Sequence, residues 1–279
     1  MSEAESKGAT PEPTSQATGQ APTRDVGSWA KPVTTLTTPN MPSGAVNLNV
    51  AGRHLSGPLM GFGQMWQKTY RIPLRHVSIT PAQVIAAWKE NFPKFWPAGN
   101  RFYGAAAGIE PGQVAVLNMA GPGGMTAPGG GPLISTGIMV IFADDESFSF
   151  MTPQGHMFAG MITFSAERDT NPGGGAEQAE MTTYAQVQAL VRASDPIYEI
   201  GSRLGVMKEE DRFWQHTLTN LAASFGVHGQ VVSQQTTLVD PKMQWGHAGN
   251  VWHNAAIRTG WYTVAAPVRW ARGLVTRGQ

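Results

Sequence analysis

Few residues of the chain combine a type and a position suited to chemistry, and His156 is the first of them. It follows Gly155 in a loop between two aromatic segments. A neutral imidazole in such a loop could bond a ligand or move a proton. The structural alternative is that the ring bonds a backbone carbonyl and fixes the turn. His156 is the one candidate catalytic residue, and both roles stay open for it.

A second polar group lies in the segment Glu-Glu-Asp-Arg-Phe-Trp-Gln-His, which contains Asp211, Arg212 and His216. Arg212 and His216 are four residues apart and share one face of a helix. At the edge of a pocket they could contact the head of an anionic ligand. On a solvated face they would have no such role, and the spacing alone does not separate the two interpretations.

Several familiar kinds of site are missing from the sequence. The chain has no cysteine, which excludes disulfides, thiolate metal sites and cysteine nucleophiles. His247 and His253 are six residues apart without a His-Glu-x-x-His pattern, so no metal site is expected. No Gly-x-Ser-x-Gly elbow supports a serine nucleophile. The Gly-rich loop at 121–131 lacks the Gly-Lys-Ser/Thr ending of a phosphate-binding loop, and no cofactor is predicted.

The composition narrows the partners and the location. The formal net charge is +1 and only 14% of the residues are charged, so no strong field would attract nucleic acid. The first residues, Met-Ser-Glu-Ala-Glu-Ser-Lys, do not resemble a signal peptide. No apolar run reaches the length of about 18 residues that a membrane span needs. A cytoplasmic location is the expectation.

The sequence predicts three regions. Residues 1–45 are rich in Ala, Pro, Thr and Ser and are predicted to form a disordered tail. Within this tail, Trp29 is a docking motif, a residue that tucks onto the domain, or an aromatic without a role. Residues 46–226 are predicted to form one domain with a core, and residues 227–279 a C-terminal extension rich in Trp and Arg.

Apolar alternation and turn residues predict a run of strands followed by a long helix. Thr80-Pro81-Ala-Gln83 has the residues of a capping box and begins a helix. A second helical segment is predicted over 195–225, weakened or broken at Gly205. Strands are predicted over 65–74, 112–119, 136–143, 148–152, 158–167 and 181–193. A sheet curved around the second helical segment would enclose a binding cavity.

The C-terminal extension allows three interpretations. From Asp240 onward it contains Trp245, Trp252, Trp261 and Trp270, with five Lys and Arg residues and one acid. The first interpretation is an arm that covers the sheet and buries its tryptophans. The second is a lid or a site for a protein partner, because Trp and Arg are common interface residues. The third is peripheral contact with a membrane.

The order of elements resembles that of the SRPBCC superfamily, which includes START lipid-transfer domains and polyketide-cyclase-like proteins. The segment from Phe150-Met-Thr-Pro-Gln-Gly-His156 to Gly160 is similar to the Thr-x-x-Gly-His-x-x-x-Gly signature of an uncharacterised branch of that superfamily. The resemblance covers about residues 60–226 and implies an α+β helix-grip fold, with a curved antiparallel sheet wrapped around a long C-terminal helix. Members carry apolar ligands, act as chaperone-like modules or catalyse cyclisation and hydrolysis, so the fold alone does not fix the activity.

These observations favour a non-catalytic binder or carrier of an apolar small molecule. The alternatives are a cyclase- or hydrolase-like enzyme that uses His156, and a module that binds another protein. Aromatic side chains and adaptable methionines are suited to the walls of an apolar cavity. The predicted ligand contacts are Trp66, Tyr70, Trp96, Phe142, Phe150, His156, Phe158, Met161, Arg192 and Trp214.

Overall fold

Alternating side chains build the main element of the protein, a curved antiparallel sheet. The structure is a computed structural model that describes residues 26–38, 45–104, 107–127, 130–169 and 182–266. The strands in these ranges are β1 (Leu55–Ser56), β2 (Met65–Leu74), β3 (Arg101–Tyr103), β4 (Val114–Met119), β5 (Ile134–Ala143), β6 (Ser147–Pro153), β7 (Phe158–Asp169), β8 (Thr182–Ala193) and β9 (Ser233–Asp240). Their spatial order is β3-β4-β5-β6-β7-β8-β2-β9, and β1 pairs with β6.

The longer helices lie against this sheet, which confirms the predicted α+β class. They are α1 (Pro81–Asn91), α2 (Pro196–Gly201), α3 (Met207–Ser224) and α4 (Ala255–Val264). The predicted capping box begins α1: the Thr80 hydroxyl accepts from the Gln83 N–H, and the Gln83 side chain accepts from the Thr80 N–H. Both bonds satisfy backbone donors that the first helical turn leaves free.

The concave face of the sheet is its apolar face. On β2, Lys68, Tyr70 and Ile72 are buried, as the alternation predicts, and on the neighbouring strand Ala185 and Val187 are buried opposite them. The small side chains of β8 leave room for close packing. Helix α1 therefore packs on β7 and β8, and α3 packs on β2 and β8.

The convex face is covered by two segments that are far apart in sequence. Leu36 and Val50 from the N-terminal side pack on Met139 of β5. On the same strand, the Ser135 N–H donates to the hydroxyl of Thr259 in α4 at 3.0 Å. The backbones of Trp29 and Phe142 form a β-bridge and their rings pack at 4.7 Å, so Trp29 tucks onto the domain. Residues 1–25, within the predicted tail, lie outside the described residues.

The helical segment predicted over 195–225 is divided at Gly205, where the sequence predicts a weakened or broken helix. Asp195 caps α2, a π-helical turn over Ser202–Val206 follows, and α3 begins at Met207. The break lies at Gly205, whose φ of +125° is outside the helical region. The buried side chains of α2 are those of Tyr198 and Glu199. The apolar side chains of Ile197, Ile200 and Leu204 are therefore exposed rather than packed on the sheet.

Three further elements lie in the region predicted as the C-terminal extension. Strand β9 joins the sheet at the edge of β2, although its sequence, Ser-Gln-Gln-Thr-Thr-Leu-Val-Asp, shows no apolar alternation. A 3-10 helix over Trp245–His253 and α4 then follow. Within the described ranges, no helix has both the length and the apolar character needed to cross a bilayer.

Candidate ligand-binding cavity

A cavity of about 770 Å³ lies between the concave face of the sheet and α3. The sheet contributes Phe150, Ile162 and Val191, and the helix contributes Phe213 and Trp214. Pockets for small organic molecules fall in the range of about 300 to 1,000 Å³. The cavity therefore has the size and the apolar walls of a small-molecule site.

An aromatic cluster stiffens one wall of the cavity. Phe92 is at its centre, with ring centroids 5.1–5.7 Å from five neighbours, all at steep interplanar angles. These neighbours are Trp96, Phe102, Phe148, Phe150 and Phe164. Edge-to-face contacts of this kind favour a fixed ring geometry. The wall is therefore expected to keep its shape when no ligand is present.

His156 places an imidazole at the cavity. Its Nδ1 lies 3.0 Å from both the nitrogen and the carbonyl oxygen of Phe158, so the backbone holds the ring in either neutral tautomer. Burial lowers the pKa of His156 to about 4, and the bond to Phe158 only partly opposes this effect. In the described part of the chain no protein group bonds Nε2. This nitrogen can therefore donate to, or accept from, a ligand.

Residues 245–264, which form the 3-10 helix and α4 and are called the outer segment, hold the turn that carries His156. Gly155 has a φ of +89°, and a Cβ at this position would collide with the carbonyl oxygen of His253. The Ala255 N–H donates to the Gly155 carbonyl at 2.9 Å, and the Ser194 hydroxyl donates to the His156 carbonyl. The position of the imidazole thus depends on residues of the C-terminal region.

A buried ionic cluster connects β2 with α3 beside the cavity. The Lys68 ammonium donates to Glu210 at 2.7 Å and to Asp211 at 2.8 Å, and the Tyr70 hydroxyl donates to Asp211 at 2.6 Å. Burial acts to lower the pKa of Lys68, but the two carboxylates together raise it. Burial raises the pKa of the Asp211 carboxyl less than its bonds to Lys68 and Tyr70 lower it, so the net direction is down.

Glu210 is the member of this cluster that borders the cavity. Burial raises the pKa of its carboxyl, and Lys68 opposes this effect without cancelling it. The sequence predicted no role in the site for Lys68 or Glu210. A lysine among the buried positions of a strand was the available signal, since an unpaired ammonium is not tolerated there.

Six of the ten predicted ligand contacts border the cavity: Trp96, Phe150, His156, Phe158, Met161 and Trp214. Met161 borders the cavity through its backbone in β7. It pairs with Met151 and Leu190, so alternation directs its side chain to the face opposite Ile162. Arg212 and His216 also border the cavity, and Arg212 pairs with Glu209.

The other four predicted contacts lie elsewhere. Tyr70 is in the core at the ionic cluster, and Phe142 packs with Trp29 on the convex side. Trp66 borders a separate pocket of about 190 Å³ near the π-helical turn. Arg192 borders that pocket too, but its guanidinium bonds the carbonyls of Gly63 at 2.6 Å and Lys242 at 2.9 Å and pairs with Asp240. Alternation directs it away from the cavity that Val191 borders.

The C-terminal tryptophans do not fit the interpretation of an arm that covers the sheet and buries them. Trp245, Trp252 and Trp261 are exposed, not buried, because other side chains of their segment face the domain. Trp270 lies outside the described residues.

The described residues contain no cluster of three His, Asp or Glu side chains that could hold a metal ion. In comparisons with known proteins, no protein-family model matches the chain, and no curated protein shows significant similarity to it.

Proposed function

We propose that the protein binds or carries an apolar small molecule in the cavity between its sheet and α3. We further propose that this arrangement is a helix grip, as in the SRPBCC superfamily that the sequence resembles. The position of α3 across β2 and β8, with a cavity beside it, supports both statements.

The observation that carries the proposal is the character of the cavity wall. It combines aromatic and aliphatic side chains with one buried neutral imidazole, that of His156. Burying apolar ligand surface there is favourable by about 25 cal/mol per Å². The carboxylates that border the same space are already paired, Glu209 with Arg212 and Glu210 with Lys68. The expected ligand is therefore uncharged and mostly apolar, with one group that hydrogen-bonds Nε2 of His156.

The electrostatics of His156 favour a carrier over the cyclase- or hydrolase-like alternative. An efficient general base has a pKa near the working pH, whereas burial lowers the pKa of this ring to about 4. A catalytic imidazole is also usually oriented by a carboxylate. Here the backbone of Phe158 holds the ring instead.

The test uses two substitutions at neighbouring positions of β7. Ile162→Trp should fill the cavity, because this side chain lies on the concave face beside Phe150. Met161→Trp adds similar bulk on the opposite face and is the matched control. Binding of the uncharged fluorescent probe N-phenyl-1-naphthylamine is measured by titration, after circular dichroism has shown that both variants are folded.

We expect Ile162→Trp to weaken probe binding at least about tenfold, and Met161→Trp to bind nearly as the parent does. Native mass spectrometry with organic extraction should then identify a co-purified apolar molecule. His156→Ala should change affinity by only about 1 kcal/mol, the net contribution of one hydrogen bond. Equal binding by both β7 variants would contradict the proposal. Turnover that His156→Ala lowers about a hundredfold or more would favour the enzyme.

A further inference from the structure

The segment from Trp245 to Val264 faces the domain with polar and small side chains and faces solvent with aromatic ones. Asn254, Ala255 and Thr259 are buried. Trp245, Trp252 and Trp261 are exposed by 75%, 82% and 72% of their surface. A segment whose only role was to cover the sheet would have the opposite pattern.

Specific bonds hold this segment in place. The Asn254 amide donates to the buried Asp195 carboxylate at 2.8 Å and its oxygen caps α4 by accepting from the Ile257 N–H at 3.0 Å. The Gln244 N–H donates to the Phe62 carbonyl at 2.7 Å. Because these bonds use the inward side of the segment, the exposure of the tryptophans follows from a fixed orientation.

Other exposed apolar side chains border the segment. The Tyr198 hydroxyl in α2 accepts from the Ala256 N–H at 2.9 Å, so α2 lies next to α4 and displays Ile197 and Ile200 beside it. On another side, the Asn250 amide donates to the Met60 carbonyl at 2.9 Å, and the adjacent Leu59 is exposed. Exposed apolar side chains that lie next to one another in this way mark an interaction site.

The charge of the C-terminal region favours a partner that carries anionic groups. In the described part of the C-terminal region, residues 241–266, the charged side chains are those of Lys242 and Arg258, and no Asp or Glu is present. Tryptophan prefers the headgroup region of a bilayer, and cationic side chains add attraction to anionic lipid. The ten residues of α4 suit a helix that lies in the interface, and they are too few to cross a bilayer.

We propose that the three exposed tryptophans, with the exposed apolar side chains of α2, dock the protein on the surface of a bilayer that contains anionic lipid. The proposal does not rest on the proposed ligand, since docking needs no occupied cavity. It would place α2, whose Tyr198 borders the cavity, next to the lipid.

The test measures binding of the full chain to vesicles by sedimentation. One set of vesicles is phosphatidylcholine, and a second set contains phosphatidylcholine and phosphatidylglycerol. We expect binding to the second set that weakens as salt is added. Trp252→Ser combined with Trp261→Ser should weaken it about a hundredfold, about tenfold for each tryptophan. Val231→Ser combined with Met125→Ser, at exposed positions outside the segment, is the matched control and should bind as the parent does.

Lipids brominated near the headgroup should quench the tryptophan emission of the parent and quench that of the double tryptophan variant less. Absence of binding to the anionic vesicles at low salt would overturn the proposal. Equal binding by the double tryptophan variant would also overturn it. Equal binding of the parent to phosphatidylcholine alone would overturn the role of anionic lipid. A parent dimer in sedimentation velocity that the tryptophan substitutions abolish, without vesicle binding, would assign the surface to a second copy of the chain.

Discussion

The two faces of the sheet are closed in different ways, although the same strands form both. On the concave face, apolar side chains meet α1 and α3 and leave the cavity between them. On the convex face, Leu36 and Val50 pack on strand β5, and amide and hydroxyl groups such as those of Asn49 and Thr259 also bond this strand and close the surface. Apolar contact is non-directional, so a gap between apolar side chains leaves no polar group unsatisfied, whereas a gap in a hydrogen-bonded surface would. A void for a ligand is therefore easier to keep on the apolar face.

The largest effect in this comparison is expected from Lys68→Met, on the concave face. Its ammonium is the bonded partner of two carboxylates, those of Glu210 and Asp211. Its removal leaves both carboxylates without their cation and should cost about 3–5 kcal/mol of the free energy of unfolding. Urea denaturation measures the loss, and Glu210→Gln in the same chain should restore part of it.

Lys89→Met is the control for this substitution. The Lys89 ammonium donates to a backbone carbonyl, that of Asp144 at 3.2 Å, so its loss should cost less than about 1 kcal/mol. If Lys68→Met lowered the free energy of unfolding as little as Lys89→Met does, water would have to reach the ionic cluster. The concave face would then be hydrated at this point.

The second prediction concerns the pH dependence that His156 causes. Its pKa is about 4 in the folded protein, because it is buried, and 6.5 is the ordinary value. Between these values the unfolded chain binds a proton that the folded protein does not bind. Stability therefore falls as the pH is lowered through this window, by about 3 kcal/mol from this group alone.

His156→Gln removes this contribution. Urea denaturation at several pH values between 7 and 4 should give a shallower loss of stability for His156→Gln than for the parent protein. His228→Gln, at an exposed position, should follow the parent. Parallel curves for His156→Gln and the parent would show that the imidazole is hydrated and that the cavity wall is open to water.

The smallest of the three effects is expected at the outer segment, from Asn254→Ala. The substitution removes the cap of α4 and leaves a buried oxygen of Asp195 without its donor. Loss of a cap and of one buried hydrogen bond should cost about 2 kcal/mol. Thermal and urea unfolding measure it. Asn250→Ala, whose amide is only partly buried, should cost less, and the reverse order would place the attachment of the segment elsewhere.

The sequence was sufficient where a local pattern determines the structure. The alternation of β2 and β8 predicted which side chains are buried, and the Thr80-Pro81 start predicted α1 and its cap. The aromatic strands β6 and β7 predicted contacts of the cavity such as Phe150 and Phe158. In each case the decisive neighbours are a few residues apart or lie on a paired strand.

The sequence was insufficient where a distant segment decides the environment. Arg192 is buried because residues near Asp240 cross the convex face and accept hydrogen bonds from its guanidinium. Strand β9 forms because the edge of β2 offers backbone partners to a chain without apolar alternation. The tryptophans of the outer segment are exposed because its polar side chains are used for attachment. None of these contacts leaves a periodic signal.

Gly155 has a consequence for how the chain can vary in evolution. Its positive φ alone would admit an asparagine at some cost. The carbonyl of His253, however, excludes even a methyl group. A descendant that kept the outer segment could not replace this glycine, whereas a descendant that lost the segment could. The residue at this one position would then indicate, in a related sequence, whether the outer segment still rests on the turn.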